Sequence, residues 1–122
     1  MNVKTILITG ASRGLGAFFS NTLATEGYKI IGIARNENQL RETINSLPNQ
    51  YLDHKALSFD INDEILIKKY VKDLDIYCLI NNAGIAHSKP LKSSTSEDIN
   101  EILRLNLVSA LNMSNAVIPK MI

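Results

Sequence analysis

Cysteine is nearly absent from this chain of 122 residues, and that bounds its chemistry first. Cys78 is the single thiol, which excludes an internal disulfide and gives no metal-ligand spacing. The two histidines, His54 and His87, stand apart in sequence, so no metal site is expected from them. Neither sign of charge dominates: Lys and Arg number 13, Asp and Glu 12, for a net charge of +1. That balance gives no reason to expect nucleic acid or an anionic membrane as a partner. Long hydrophobic runs are missing too. The opening "MNVKTILITG" has one short apolar stretch, broken by Thr9 and Gly10, too short for a signal-peptide core or a membrane span. A soluble cytoplasmic protein is expected. What remains is ordinary globular material, 45% hydrophobic and 20% charged, of a length that suits one domain.

Two kinds of segment alternate along the chain. The β-branched runs "VKTILIT" (3–9), "YKIIGIA" (28–34), "KALSF" (55–59) and "DIYCLIN" (75–81) are mostly apolar on both faces, as covered parallel strands should be. Helical periodicity fills the gaps. Residues 14–26 place Leu15, Phe18, Thr22 and Leu23 on one face, with Gly27 set to cap the end. Residues 36–46 carry Leu40 and Ile44, with Leu47 beyond, and residues 62–74 carry Ile65, Leu66, Tyr70, Val71 and Leu74 behind an Asn62 N-cap. The last helix is expected to open with a capping box of Ser94 and Glu97 and to run to about Pro119. The pattern βαβαβαβα, with crossovers long enough to return each strand parallel, predicts a doubly wound α/β domain of strand order 3-2-1-4.

"TGASRGLG" (9–16) follows a strand and opens a helix, the context that makes a glycine motif informative. Gly10 allows a sharp turn, Gly14 lets backbone approach a pyrophosphate, and Gly16 lets the new helix pack closely. The helix N–H groups and dipole then face the phosphates, with Ser12 and Arg13 at the same edge. A ligand-free glycine turn is the alternative. At the end of the second strand, "IARNEN" offers Arg35 and no acid before Glu37. An acid there would bind a free ribose hydroxyl; Arg13 and Arg35 instead suit a 2′-phosphate, so NADP(H) is expected in preference to NAD(H). Arg35 as a solvated loop cation is the competing reading. Asn106 falls within an apolar helical stripe of Ile99, Ile102, Leu103, Leu107, Ala110 and Leu111. A buried amide there needs partners, supplied by a local helix distortion with a trapped water or by the core itself.

These motifs together resemble the N-terminal half of the short-chain dehydrogenase/reductase family. Thr9 to Gly16 matches its TGxxxGxG cofactor motif, and "NNAG", Asn81 to Gly84, matches the motif closing its fourth strand. The resemblance implies that Asp60 accepts a hydrogen bond from the adenine amino group, with Ile61 beside the ring. It implies that Asn82, Ala83 and Gly84 border the nicotinamide-side ribose, although Asn and Gly also suit an ordinary tight turn. Leu15 belongs to the cofactor motif. Asn106, in "RLNLVSA", matches the asparagine of the family's Asn-Ser-Tyr-Lys tetrad, whose backbone carbonyl holds a water linked to the catalytic lysine. The last helix would contribute to a four-helix subunit interface, implying a homo-oligomer.

The remaining tetrad members come in the family as a serine followed by YxxxK, on a fifth strand and helix. "YLDHK" (51–55) has that spacing but lies before the third strand, at the wrong edge of a parallel sheet, and is rejected. Residues 1–122 are therefore expected to form the NADP(H)-binding half of an oxidoreductase acting between a nicotinamide and a small carbonyl or alcohol. That half is expected to be inactive alone. The alternative is a non-catalytic nucleotide-binding or interaction module.

Overall fold

The computed structural model describes residues 2–85 and 89–122, so His87 lies outside the described residues. Four strands, β1 (Thr5–Thr9), β2 (Lys29–Ala34), β3 (Lys55–Ser58) and β4 (Cys78–Ile80), form one sheet of order β3-β2-β1-β4. All pairings are parallel, with Ile6 opposite both Ile30 and Cys78, and Ile31 opposite Lys55. Helices α1 (Gly14–Thr25) and α2 (Glu37–Asn45) cover one face. Helices α3 (Glu64–Val71) and α5 (Ser109–Met121) cover the other. Helix α4 (Ser96–Leu103) runs into α5 through a π turn at Arg104–Val108. This is the expected Rossmann-type arrangement. Ile6, Ile8 and Ile30 pack toward α1 and α2, while Leu7, Ile31 and Ile33 pack toward α3 and α5. Strands covered on both faces read as continuous apolar runs for that reason. Among the described residues no helix is long and apolar enough to cross a membrane.

The end of α1 follows the expected signal. Gly27 takes φ +96, Tyr28 N–H donates to Leu23 O, and Gly27 N–H donates to Ala24 O, the paired bonds of a Schellman motif. The inward face of α1 differs from expectation. It buries Gly16, Ser20 and Ala24, with Phe19 and Leu23 at its flanks. Leu15 and Phe18 are 59% and 63% exposed. Close approach at Gly16 forces a small-residue face inward, and the Ser20 hydroxyl donates to Gly16 O at 2.8 Å.

Caps sit one residue later than expected at two helices. Asp63 caps α3 in place of Asn62, accepting from Ile65 N at 3.0 Å. Ile67 and Val71 turn inward, whereas Ile65 is 74% exposed and Tyr70 stacks on Phe59 outside the core. At α4 the capping box is Thr95 and Asp98. Ser94 is not available, because its hydroxyl donates to Pro90 O in the preceding turn. Pro119 does not end α5, which continues to Met121. The fixed φ of proline is itself helical, so the chain keeps its helical course for two residues beyond it. The inward face of α5 is Ser109, Met113 and Val117. Leu103, Leu107 and Leu111, expected within one stripe with Asn106, are exposed. The π turn inserts a residue's worth of rotation between the two helices and re-phases them.

Candidate functional site

The loop after β1 is held from three sides. Gly10 N–H and Ala11 N–H both donate to Ile33 O on β2, at 2.9 and 3.2 Å. Buried Thr9 accepts the N–H groups of Asn82 and Ala83 through Oγ1, each at 3.0 Å. Asn82 Nδ2 returns a bond to Gly10 O at 3.1 Å. The Thr43 hydroxyl donates to Ser12 O at 2.7 Å. Glycine is required here by contact as well as by φ. Gly10 and Gly14 take φ +66 and +56, a region side chains disfavour. A Cβ on Gly16 would overlap Gly10 O and stand 2.7 Å from Asn82 Nδ2.

This braced loop forms one wall of a cleft of about 560 Å³ across the carboxyl ends of the strands. The cleft lies at the point where strand order reverses between β1 and β4, the usual ligand position in such sheets. Of the residues singled out from sequence, Gly10, Ser12, Arg13, Gly14, Leu15, Arg35, Asp60, Ile61, Asn82, Ala83 and Gly84 all line it. Gly16 does not; it lies buried behind the loop. Asn106 does not line it either.

The polar groups of the cleft include two cations and the N-terminus of a helix. Arg13 is the N-cap of α1 yet makes no side-chain capping bond, and the first turn of α1 has no acid. By contrast α2, α3 and α4 each begin with a side-chain cap and an acidic residue. The first-turn donors of α1 therefore face the cleft without a side-chain partner. Among the described residues Arg13 and Arg35 form no ion pair, and Glu37 is turned to Arg41 at 2.9 Å. Asp60 Oδ1 accepts Asn62 N–H at 2.9 Å, fixing the carboxylate at the end of β3.

Asn106 departs from the buried amide expected of it: it is exposed, and its partners are backbone. Oδ1 accepts Ile85 N–H and Nδ2 donates to Ile85 O, both at 2.8 Å. A Cβ on Gly84 would stand 3.0 Å from that Oδ1, so this glycine makes room for the asparagine. The expected local helix distortion is present as the π turn that carries Asn106.

Several lining residues carried no sequence signal strong enough to single them out. Asn36 and Gln39 lie beside Arg35. Asn36 is the N-cap of α2, accepting Gln39 N–H at 3.0 Å, so the start of α2 projects both toward this edge. Ile85, Glu101 and Leu105 close the opposite end. Tyr51, of the rejected "YLDHK", is 80% exposed in a short 3-10 turn at the far edge of the sheet.

Known proteins share this arrangement. The short chain dehydrogenase profile matches residues 4–122. The chain is 34% identical to a 3-oxoacyl-acyl-carrier-protein reductase of Escherichia coli, over 97% of this chain and 49% of that protein. It is 32% identical to a very-long-chain 3-oxoacyl-CoA reductase of Phaeosphaeria nodorum, over 95% of this chain and 37% of that protein. A short-chain dehydrogenase from Sphingobium yanoikuyae, solved with NADPH, superposes with a TM-score of 0.88 at 30% identity, covering 97% of this chain and 48% of that one. The chain thus spans half or less of the length of these relatives. The glycine turn, the Asn82 clasp and the cleft across the strand ends are the setting of this match over nearly all the chain, which belongs to the short chain dehydrogenase family.

Proposed function

We propose that residues 1–122 are the nucleotide-binding half of a short-chain oxidoreductase that takes NADP(H) in preference to NAD(H). The observation that carries this reading is a cleft lined by two cations, Arg13 and Arg35, that form no ion pair among the described residues, and by the start of α1, which has no side-chain cap. The donor set fits a dinucleotide phosphate. Gly14 leaves open space where a side chain would stand. The N–H groups beyond it take the pyrophosphate, the two guanidinium groups take the 2′-phosphate, and Asp60 with Ile61 takes the adenine. Asn82, Ala83 and Gly84 border the nicotinamide-side ribose. We assign Asn106 to the catalytic side: its amide braces Ile85 at the end of the cleft, and π turns recur at functional sites. When bound, the nicotinamide supplies or accepts the hydride, and the protein contributes binding and orientation. A carbonyl–alcohol pair is the proposed substrate class, in keeping with relatives named as 3-oxoacyl reductases.

Calorimetric or fluorescence titration of the purified protein tests this. NADPH is expected to bind more tightly than NADH. Arg35→Ala is expected to reduce NADPH affinity by about 10- to 100-fold, the range for losing a hydrogen bond to a charged group, with NADH unchanged. Equal affinities in the parent protein would overturn the assignment.

A further inference from the structure

We infer that Thr43 is a positioning residue for nucleotide selectivity, holding the Ser12–Arg13 backbone and, through it, the Arg13 cation in the cleft. The inference rests on the NADP(H) reading above.

Thr43 lies in the last turn of α2, outside the cleft. Serine and threonine within helices commonly turn their hydroxyl to the carbonyl four residues back. Ser20, Thr25, Ser109 and Ser114 all do so here. Thr43 instead crosses 31 positions in sequence to donate to Ser12 O at 2.7 Å.

A second observation explains the reach. Gly32 in β2 lies beneath Ala11 and Ile44, the chain neighbours of the two partners. A Cβ there would stand 2.9 Å from Ala11 Cβ and 3.0 Å from Ile44 Cδ1. The missing side chain lets the β1–α1 turn and the end of α2 settle together on β2, and that brings Thr43 to Ser12.

The rest of the turn has its own anchors. Gly10 and Ala11 are fixed to Ile33 O, and from Gly14 onward the chain is helix. Ser12 and Arg13 form the span between, with Arg13 extended at φ −158 and ψ 173. The Thr43 bond is the side-chain tie on that span among the described residues. Removing the hydroxyl frees the Ser12 carbonyl and lets Arg13 drift from a 2′-phosphate. The pyrophosphate donors beyond Gly14 stay in place on α1. Selectivity is then expected to fall while general nucleotide binding persists.

The experiment measures NADPH and NADH dissociation constants for the parent, Thr43→Val and Thr43→Ser. Thr43→Val is expected to weaken NADPH about three- to tenfold, the range for one lost hydrogen bond, and to leave NADH within about twofold. Thr43→Ser keeps the donor and is expected to restore the parent ratio. In an Arg13→Ala background, Thr43→Val is expected to leave the ratio unchanged, because the group it positions is gone. Equal weakening of both nucleotides, an unchanged ratio in Thr43→Val, or failure of Thr43→Ser to restore it would overturn the inference. A parent protein with no preference for NADPH would instead overturn the NADP(H) reading on which it rests. If Thr43→Val loses its cooperative melt, Thr43→Ala takes its place against Thr43→Ser, with the same outcomes deciding.

Discussion

At the N-terminal edge of the sheet, the connection from α2 to β3 turns its polar side chains onto its own neighbours. Asn49 Nδ2 donates to Ala24 O at the end of α1, and Gln50 Nε2 donates to Leu47 O and Ile44 O at the end of α2. His54 Nδ1 accepts Ile30 N–H at 2.9 Å, so the ring proton sits on Nε2 and donates to Pro48 O at 2.9 Å. At the C-terminal edge the loop after β1 is tied down as firmly, through Thr9, Asn82 and Thr43. Its outward groups, however, are left to the cleft: the first-turn N–H groups of α1 and the guanidinium groups of Arg13 and Arg35. Both edges are built from turns and both are hydrogen-bonded to their neighbours. They differ in whether the donors they hold are consumed within the chain, and a set of fixed, unconsumed donors is what a ligand needs.

Substitution at Gly16 is expected to have the largest effect and to break the comparison. Gly16→Ala pushes a methyl group into Gly10 O and Asn82 Nδ2, so the braced loop must shift. A stability loss of about 3 kcal/mol is expected by chemical denaturation, together with loss of nucleotide binding. An intermediate effect sharpens the comparison. His54→Leu leaves Ile30 N–H and Pro48 O without their partner and is expected to cost about 1–3 kcal/mol. Nucleotide affinity of the folded variant should match the parent, since His54 does not line the cleft and its ring bonds are made within the chain. A change in the NADPH to NADH ratio would show that the two edges are coupled.

The smallest effect is expected at α4. The Thr95 backbone N–H, and after it the Lys89 ammonium, lower the Asp98 carboxyl from its ordinary 3.8 to about 2. A carboxylate with a lowered folded value stabilises fully above 3.8, and its contribution is lost as pH falls through about 2. Residue-resolved NMR should show the start of α4 fraying over that window, and Asp98→Asn should remove the pH dependence. The turn after β1 should show no such titration, because its bonds involve backbone, hydroxyl and amide groups.

Much of this was legible in the chain. The four strands lie within the β-branched runs, the parallel pairing follows from crossovers long enough to return each strand, the order 3-2-1-4 is the one a doubly wound sheet takes, and the glycine spacing marks the turn. The candidate lining residues could be found because parallel strands bring all their carboxyl ends to one edge. Less legible were the rotations. Leu15 and Phe18 on α1, and Ile65 on α3, read as core by periodicity yet lie outside. Asn106 reads as a core amide yet braces Ile85 from an exposed position. Caps fall one residue beyond the expected position where neighbouring hydroxyls and carboxylates compete for the same role.

The sequence by itself determined the alternation of strand and helix, the parallel sheet, and the place of the glycine turn at its edge. These depend on local propensity and on a period that any window of the chain displays. Tertiary structure alone decided which helix face turns inward, that Gly84 makes room for Asn106, and that Thr43 reaches Ser12. One residue of shift rotates a helix by about 100°. Which rotation wins is set by contacts between residues far apart in the chain, such as Gly16 against Gly10, and no local pattern contains them.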